Sequence, residues 1–335
     1  MESIYFVLTW ACHRTCAHCY DERFHPYYGA DLERQVETAS RNVPLIIANL
    51  PERMSFVDLD AGMAERRGRI ILAGGEVMLP AIRESILYPA LRQIRAKYEH
   101  NGGVELIVQT TGDLLTPRLI GEMLEHGVEV ISVSGIDAFH EGYEEEAVRE
   151  AHKQKLTAWF QAEGLLEWVS APERVPEQRY FHFFGATPGS WIGKLWPRGR
   201  AQANELSTAT LTDNFCNAWS GGRNFLERRY KGSEVSIDPE GNVFPCCIKT
   251  RLPLKGSLLT TGLDDILDAH VGNPIYEAIN AGKPERMGLT HGWSVERFLE
   301  KSRTVLPSGR EYQNLCVGCD KFHEEVLSAP IQIVR

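Results

Sequence analysis

The sequence predicts an α/β fold, in which a parallel sheet covered by helices is followed by a β-hairpin and further helices. Three observations carry this. Short apolar runs at 4–10, 69–73, 104–109 and 128–134 read as strands buried on both faces, the pattern that parallel sheets impose. Stretches with apolar residues at helical spacing separate them, so strand and helix alternate. The cysteines fall in two groups, at 12, 16 and 19 and at 216, 246, 247, 316 and 319, with none between.

The first strand delivers Cys12-His13-Arg14-Thr15-Cys16-Ala17-His18-Cys19-Tyr20 at its C-terminal end. Three thiolates spaced x3 then x2 can converge on one centre from a single loop. A structural zinc site takes four ligands, and His13 or His18 would have to complete it. An iron–sulfur cube held by three cysteines instead keeps one iron free. Asp31 is placed to cap the next helix, which carries Leu32, Val36, Ala39 and Val43 at helical spacing. Pro44 is expected to kink or end it.

Strand 69–73 runs into Gly74-Gly75-Glu76. Glycines there let the backbone approach a ligand, and a carboxylate beside them can accept hydrogen bonds from an ammonium group; a plain turn is the alternative. A helix follows through Ile82, Ile86, Leu91, Ile94 and Tyr98. Strand 104–109 ends in Thr110-Thr111-Gly112, Thr116-Pro117 starts another helix, and strand 128–134 comes next. Sites in such folds lie at the C-terminal ends of the strands. Ser132 and Ser134 stand at such an end, with solvent-facing serines as the plain alternative, and Asp137 and His140 just beyond are candidates to contact a substrate or residues that only cap the loop. Residues 144–154 read as a charged helix with a solvated face. Residues 156–165 and 180–184 read as further strand or helix–strand elements, giving about six units.

Residues 188–201 form a Gly/Pro-punctuated crossover ending in Arg198-Gly199-Arg200-Ala201. Residues 233–238 then alternate, Pro239-Glu240-Gly241-Asn242 supplies a turn, and 243–247 return, a hairpin with Cys246 and Cys247 on its second strand. Cys216 precedes it and Cys316-Val317-Gly318-Cys319 closes the set. Four ligands for one site are available, and spacing alone suits a zinc ribbon as well as a cluster. Helices at 263–269, 274–281 and 294–302 join the hairpin to the last cysteines, with Trp293, Phe298 and Leu299 expected to bury against the sheet.

The length of 335 residues allows a barrel-sized domain plus a smaller unit. A net charge of −9 argues against a general nucleic-acid binder, which needs lysine and arginine in excess. The chain lacks an eighteen-residue apolar run and a basic start, so a cytoplasmic protein without a membrane partner is expected. Its eight cysteines are in that setting metal ligands before disulfides.

A strand followed by CxxxCxxCY (Cys12, Cys16, Cys19, Tyr20), and Gly74-Gly75-Glu76 one strand–helix unit later, resembles the signature of radical S-adenosylmethionine (SAM) enzymes. The resemblance implies a partial (β/α)6 radical SAM barrel over residues 1–201. It implies a 4Fe–4S cluster on Cys12, Cys16 and Cys19, whose open iron SAM chelates, and SAM contacts from Tyr20, Gly74, Gly75 and Glu76, the motif that binds the SAM amino group. By the same analogy Ser132 and Ser134 bond the ribose. Arg200, in a Gly-Arg-Ala familiar from relatives with C-terminal cluster domains, pairs with the SAM carboxylate or an anionic substrate; a surface arginine at a domain junction is the alternative. The set Cys216, Gly241, Cys246, Cys316 and Cys319 resembles the twitch domain, a shortened relative of the SPASM domain. It implies a hairpin-plus-helix domain over 202–335 with one auxiliary 4Fe–4S cluster. The chain departs from the family at His18, where an aromatic hydrophobic residue is usual, and in a long interval after Cys216 that carries Arg223, Arg228 and Arg229. Cys247 is left over, as a buried bystander, a replacement for Cys246, or a hydrogen-atom donor of the kind found in some radical SAM epimerases.

The activity so implied is reductive cleavage of SAM to a 5′-deoxyadenosyl radical, with electrons from a donor such as flavodoxin or ferredoxin. The radical then abstracts hydrogen from a small-molecule substrate (sugar, aminocyclitol or nucleotide-like), giving oxidation or epimerisation. Peptide-modifying relatives often carry an N-terminal leader-binding domain, and the first strand here begins at Ile4, which favours a small molecule. A peptide substrate is the alternative, and a non-enzymatic zinc protein is the alternative of another class.

Overall fold

The computed structural model describes residues 1–134, 137–168, 177–185, 194–217, 224–246 and 252–328. Cys247, Arg223 and residues 188–193 of the crossover lie outside the described residues. The strands are β1 (Ser3–Val7), β2 (Ser55–Asp58), β3 (Ala64–Arg67), β4 (Arg69–Ala73), β5 (Glu105–Thr110), β6 (Val130–Ser134), β7 (Leu166–Glu167), β8 (Tyr180–Phe184), β9 (Glu234–Ile237), β10 (Val243–Phe244), β11 (Arg303–Val305) and β12 (Glu311–Gln313). One eight-stranded sheet runs β10-β9-β1-β4-β5-β6-β8-β7. Only β10 is antiparallel in it, and β9 through β7 run parallel. The four predicted barrel strands therefore lie side by side in chain order.

Successive side chains of a strand face opposite sides. Ile4, Phe6, Ile70, Leu72, Leu106 and Val108 form one face, fully or almost fully buried. The other face supplies Tyr5, Ile71, Gln109, Ser132, His182 and Ser236 to a single cavity. Residues from β8 and β9, near opposite edges of the sheet, can share that cavity only if the sheet rolls into a partial barrel.

Several boundaries differ from expectation. Asp31 sits inside the first turn of helix Gly29–Ala48, and Tyr28 is its N-cap. Pro44 does not end this helix. A helical proline costs about 3 kcal/mol, but continuing past it buries Ile46 and Ile47, worth about 1.5–3 kcal/mol each. Of the two readings of 156–165, helix–strand is the one found: Leu156 and Phe160 continue the buried stripe of helix Glu146–Ala162, and β7 follows at Leu166–Glu167. The hairpin β2/β3 was not foreseen; its second strand, Ala64–Arg67, is exposed throughout.

The C-terminal part is interleaved with the barrel. β9 pairs with β1 from Ser3↔Glu234 to Phe6↔Ile237, and helix Gly199–Ala203 spans the expected boundary at 201/202. Trp293 and Phe298 are buried but pack on the last helix, Leu315–Phe322. The Trp293 ring lies 5.4 Å from Phe322, and a Cβ on Gly318 would stand 2.7 Å from the Phe298 ring.

Candidate active site

The cysteine loop leaves β1 at the C-terminal edge of the sheet and is fastened at once. Gly75 N donates to Thr9 O at 2.9 Å, Glu76 N to Ala11 O at 2.8 Å, and Cys12 N to His25 O at 3.0 Å. A Cβ on Gly75 would meet Ala11 O at 2.2 Å, so only glycine lets the two loop backbones close on each other. Cys12, Cys16 and Cys19 line the cavity of about 300 Å³, with Tyr20, Gly74 and Gly75. All three are free thiols. Burial pushes Cys12 up to about 12 and Cys19 up to about 11, so without a cation beside them they stay protonated.

Glu76 is held by bonds within the protein. Its carboxylate accepts from Met78 N (2.8 Å) and Thr110 Oγ1 (2.8 Å) on Oε1, and from Thr111 N (2.8 Å) and Thr111 Oγ1 (2.6 Å) on Oε2. Burial pushes its pKa up, against these bonds that pull it down. A carboxylate offers about four lone-pair sites; Met78 N, Thr110 Oγ1 and Thr111 N take three of them, and the one Thr111 hydroxyl proton is shared between Glu76 and Asp113. Glu76→Gln would turn an amide NH2 toward two of these donors, at about 1–3 kcal/mol for each one stranded. The denaturation midpoint of ligand-free Glu76→Gln is therefore expected to fall. An unchanged midpoint with weakened SAM binding would return Glu76 to the ligand.

The same Thr111 hydroxyl lies against Asp113, which receives His13 Nε2 at 2.6 Å and Arg14 Nη2 at 2.7 Å. Burial would raise Asp113, but hydrogen bonds from His13, Thr111 and Arg14 hold it well below the usual carboxylate range. The cysteine loop is thereby tied to the end of β5.

His18 fills the aromatic position. Its ring lies 4.2 Å from that of His140, and burial above all, with the neighbouring His140 second, lowers its pKa to about 4. A neutral imidazole therefore faces the cavity. His140 Nδ1 pairs with the buried Asp137 Oδ1 at 2.7 Å, leaving Nε2 as the nitrogen open to a ligand. Ser132 and Ser134 both line the cavity, Ser132 Oγ 2.7 Å from His182 Nε2 and Ser134 Oγ 3.4 Å from Thr110 O.

Arg200 lines the same cavity. Its Nε donates to Cys16 O (2.9 Å), its Nη2 to Phe24 O (2.8 Å) and its backbone N to Cys19 O (2.8 Å). It clamps the cysteine loop by its carbonyls with two of the five N–H donors of its guanidinium, and Nη1 reaches Glu22 O at 3.5 Å. Sequence reasoning missed Tyr5, Arg69, Gln109, His182, Glu234 and Ser236, which line the cavity. The strand period of two would have grouped them once the faces were assigned.

Cys216, Cys246, Cys316 and Cys319 are buried around a small internal cavity shared with Arg198. Cys316 and Cys319 lie one turn apart on helix Leu315–Phe322, whose N-cap Asn314 accepts from Cys316 N at 2.9 Å. Among the described residues, no three His, Cys, Asp or Glu side chains are gathered closely enough to hold one metal ion. A cubane places each thiolate on a different iron, and four thiols from three segments suit that donor set.

No protein-family model matches the sequence, and no curated protein matches it. Among solved structures, the chain is similar to BtrN in complex with AdoMet and 2-DOIA, with a TM-score of 0.46 and 14% identity over 84% of this chain and 88% of that one. It is similar to native anSMEcpe with bound AdoMet and Cp18Cys peptide at a TM-score of 0.39 and 13% identity, over 97% and 96%. For Streptococcus suis SuiB bound to S-adenosylmethionine the TM-score is 0.33 and the identity 11%, over 83% and 67%. At these values the resemblance to radical SAM enzymes rests on this chain's own cysteine loop, its Gly74-Gly75 approach and its second cysteine set.

Proposed function

We propose that this chain is a radical SAM enzyme acting on a small polar molecule. The observation that carries the reading is that three thiols of one loop, the Gly74-Gly75 backbone and the inward face of a rolled sheet open on one cavity. Cys12, Cys16 and Cys19 would hold a 4Fe–4S cluster. When bound there with SAM, it supplies the 5′-deoxyadenosyl radical that takes a hydrogen atom from the substrate. Gly74 and Gly75 meet the SAM amino group, Ser132 and Ser134 face its ribose, and Tyr20 with Phe24 and Trp196 excludes water. Tyr5, Gln109 and Ser236 offer hydrogen bonds deeper in the cavity, which supports a polar substrate of modest size. His140, oriented by Asp137, accepts the proton that an oxidised substrate gives up.

Residues 202–335 form the auxiliary unit, which lends β9 to the barrel sheet. Cys216, Cys246, Cys316 and Cys319 would hold a second 4Fe–4S cluster, an electron acceptor within the chain, and oxidation is the favoured outcome for that reason. Cys247 would return hydrogen if the outcome is epimerisation instead. Among the described residues no helix is long and apolar enough to cross a membrane. A cytoplasmic location, with flavodoxin or ferredoxin as reductant, fits the free thiols.

The test is anaerobic reconstitution with iron and sulfide, reduction, and measurement of 5′-deoxyadenosine from added SAM. A brown protein that forms it is expected. A colourless zinc protein that forms none would overturn the reading. With a turned-over substrate, loss of two hydrogens marks oxidation. Deuterium from deuterated water at an inverted carbon, absent in Cys247→Ala, marks epimerisation.

A further inference from the structure

The active-site cavity has a second end, at the N-terminal ends of the strands and away from the cysteine loop. The register sets its inward residues in rungs: Ser3 with Arg69 and Glu234, then Tyr5 with Ile71 and Ser236, then Gln109 with Ser132. Arg69 and Glu234 make the floor. Glu234 is 9% exposed. It bonds the Ser3 hydroxyl, and burial pushes its carboxyl up against the downward pull of the Arg69 charge. Arg69 is turned elsewhere, with Nε to Ser3 Oγ at 3.3 Å and Nη2 to Glu2 Oε1 at 3.4 Å, and among the described residues no cation reaches ion-pair distance of Glu234. One rung up, Ser236 is 2% exposed and lines the same cavity, and its hydroxyl meets no hydrogen-bond partner among the described residues. Across from it the Tyr5 hydroxyl accepts from Gln109 Nε2 at 3.3 Å. Buried polar groups find partners. A carboxylate without a cation and a hydroxyl without a bond, both opening on one cavity, point to a ligand that brings donors and positive charge.

We propose that Glu234 and Ser236 form an ammonium subsite on the cavity floor, so that the substrate is a hydroxylated primary amine held by its amino group and not a neutral or acidic sugar. This rests on the enzyme reading above, which makes the cavity the substrate's. An ammonium carries three donors and no acceptor, and Glu234, Ser236 and Tyr5 offer it oxygens on two adjacent rungs. Charge selects in the same direction. Glu2, Glu105 and Glu234 stand beside the single guanidinium of Arg69, so a cation is welcome there and a second carboxylate is repelled. The height also fits. Residues two apart on one face of a strand are about 6.6 Å apart. An amine at the level of Glu234 therefore sets a six-membered ring beside Tyr5 and Ser236, with its far side at the level of Ser132.

The experiment uses the full chain, reconstituted anaerobically with SAM present, and three probes that share one ring: glucosamine, glucose and glucuronate. Binding is read by saturation-transfer nuclear magnetic resonance, which responds to weak ligands, on wild type, Glu234→Gln and Ser236→Ala. Wild type should bind glucosamine about tenfold or more tighter than glucose, the worth of one charge-assisted bond, and glucuronate most weakly. Glu234→Gln keeps the shape and removes a buried charge, so its denaturation midpoint should not fall. In it the advantage of glucosamine over glucose should vanish. Ser236→Ala, which only removes one oxygen, should weaken glucosamine about fivefold and provides a second variant should the first fold poorly. Glucosamine that binds wild type no tighter than glucose, absence of binding by all three included, or an advantage that survives Glu234→Gln, would overturn the subsite. Formation of 5′-deoxyadenosine by the same protein, reduced and without any sugar, is measured alongside. A chain that forms it without preferring the amine loses the subsite and keeps the enzyme reading. A chain that prefers the amine through Glu234 and forms none keeps an ammonium-binding cavity and loses that reading.

Discussion

Replacing Cys12, Cys16 and Cys19 together by alanine is expected to abolish 5′-deoxyadenosine formation while leaving about four irons per chain, the content of one cubane. The three thiols share one loop and one cavity. The other four described cysteines surround a different cavity, reached from the segments around Asn214, from the end of the hairpin and from the last helix. Either set can therefore be emptied without removing a ligand from the other. The complementary variant, with Cys216, Cys246, Cys316 and Cys319 replaced, should also keep about four irons, now in a cluster that responds to SAM. One equivalent of zinc in the first variant would show that the C-terminal set is structural. Unchanged SAM cleavage in it would remove the first loop from the chemistry.

The chemistry was more legible in the sequence than the way the parts hold one another. The strands bearing the site were readable because each is an apolar run of the length a doubly covered strand needs, and β4 ends at Ala73, directly before the paired glycines. Glycine at 75 also had a readable meaning, close approach, although the approaching partner turned out to be Ala11 and not only a ligand. The partners of Glu76 were hidden because they are Met78 and, on a strand end more than thirty residues away, Thr110 and Thr111. Nothing local distinguishes a carboxylate that buckles two strand ends from one that faces a ligand. The Arg200 clamp was hidden for the same reason, since its acceptors are carbonyls of the loop at 16–24, and backbone acceptors leave no mark on a sequence. The hairpin was visible from its alternation and turn, but its membership of the barrel sheet depends on the pairing of Glu234 with Ser3, which no periodicity encodes.

Gly75→Ala is expected to empty the first site and destabilise the fold together. The added Cβ would lie 2.2 Å from Ala11 O, 2.5 Å from Ala11 C and 2.9 Å from Cys12 N. All three are backbone atoms, so no rotamer change relieves the overlap. They can retreat only by breaking Gly75 N to Thr9 O, Glu76 N to Ala11 O or Cys12 N to His25 O, each leaving buried groups unpaired at about 1–3 kcal/mol. Overpacking adds a comparable cost, so a loss of about 3 kcal/mol or more is expected, read from denaturation of the cluster-free chain. Retreat also carries Cys12 away from Cys16 and Cys19, so iron in the reconstituted variant should fall to about the four of one cubane, with SAM cleavage gone. Gly121→Ala is the control. It lies within helix Pro117–Glu125, its Cβ would meet nothing nearer than Glu163 Oε2 at 3.7 Å, and alanine there should be neutral or stabilise by up to about 1 kcal/mol. If Gly75→Ala instead matches wild type in midpoint, iron and 5′-deoxyadenosine, the two loops are not held together at this point, and the positioning assigned to Gly74-Gly75 is wrong.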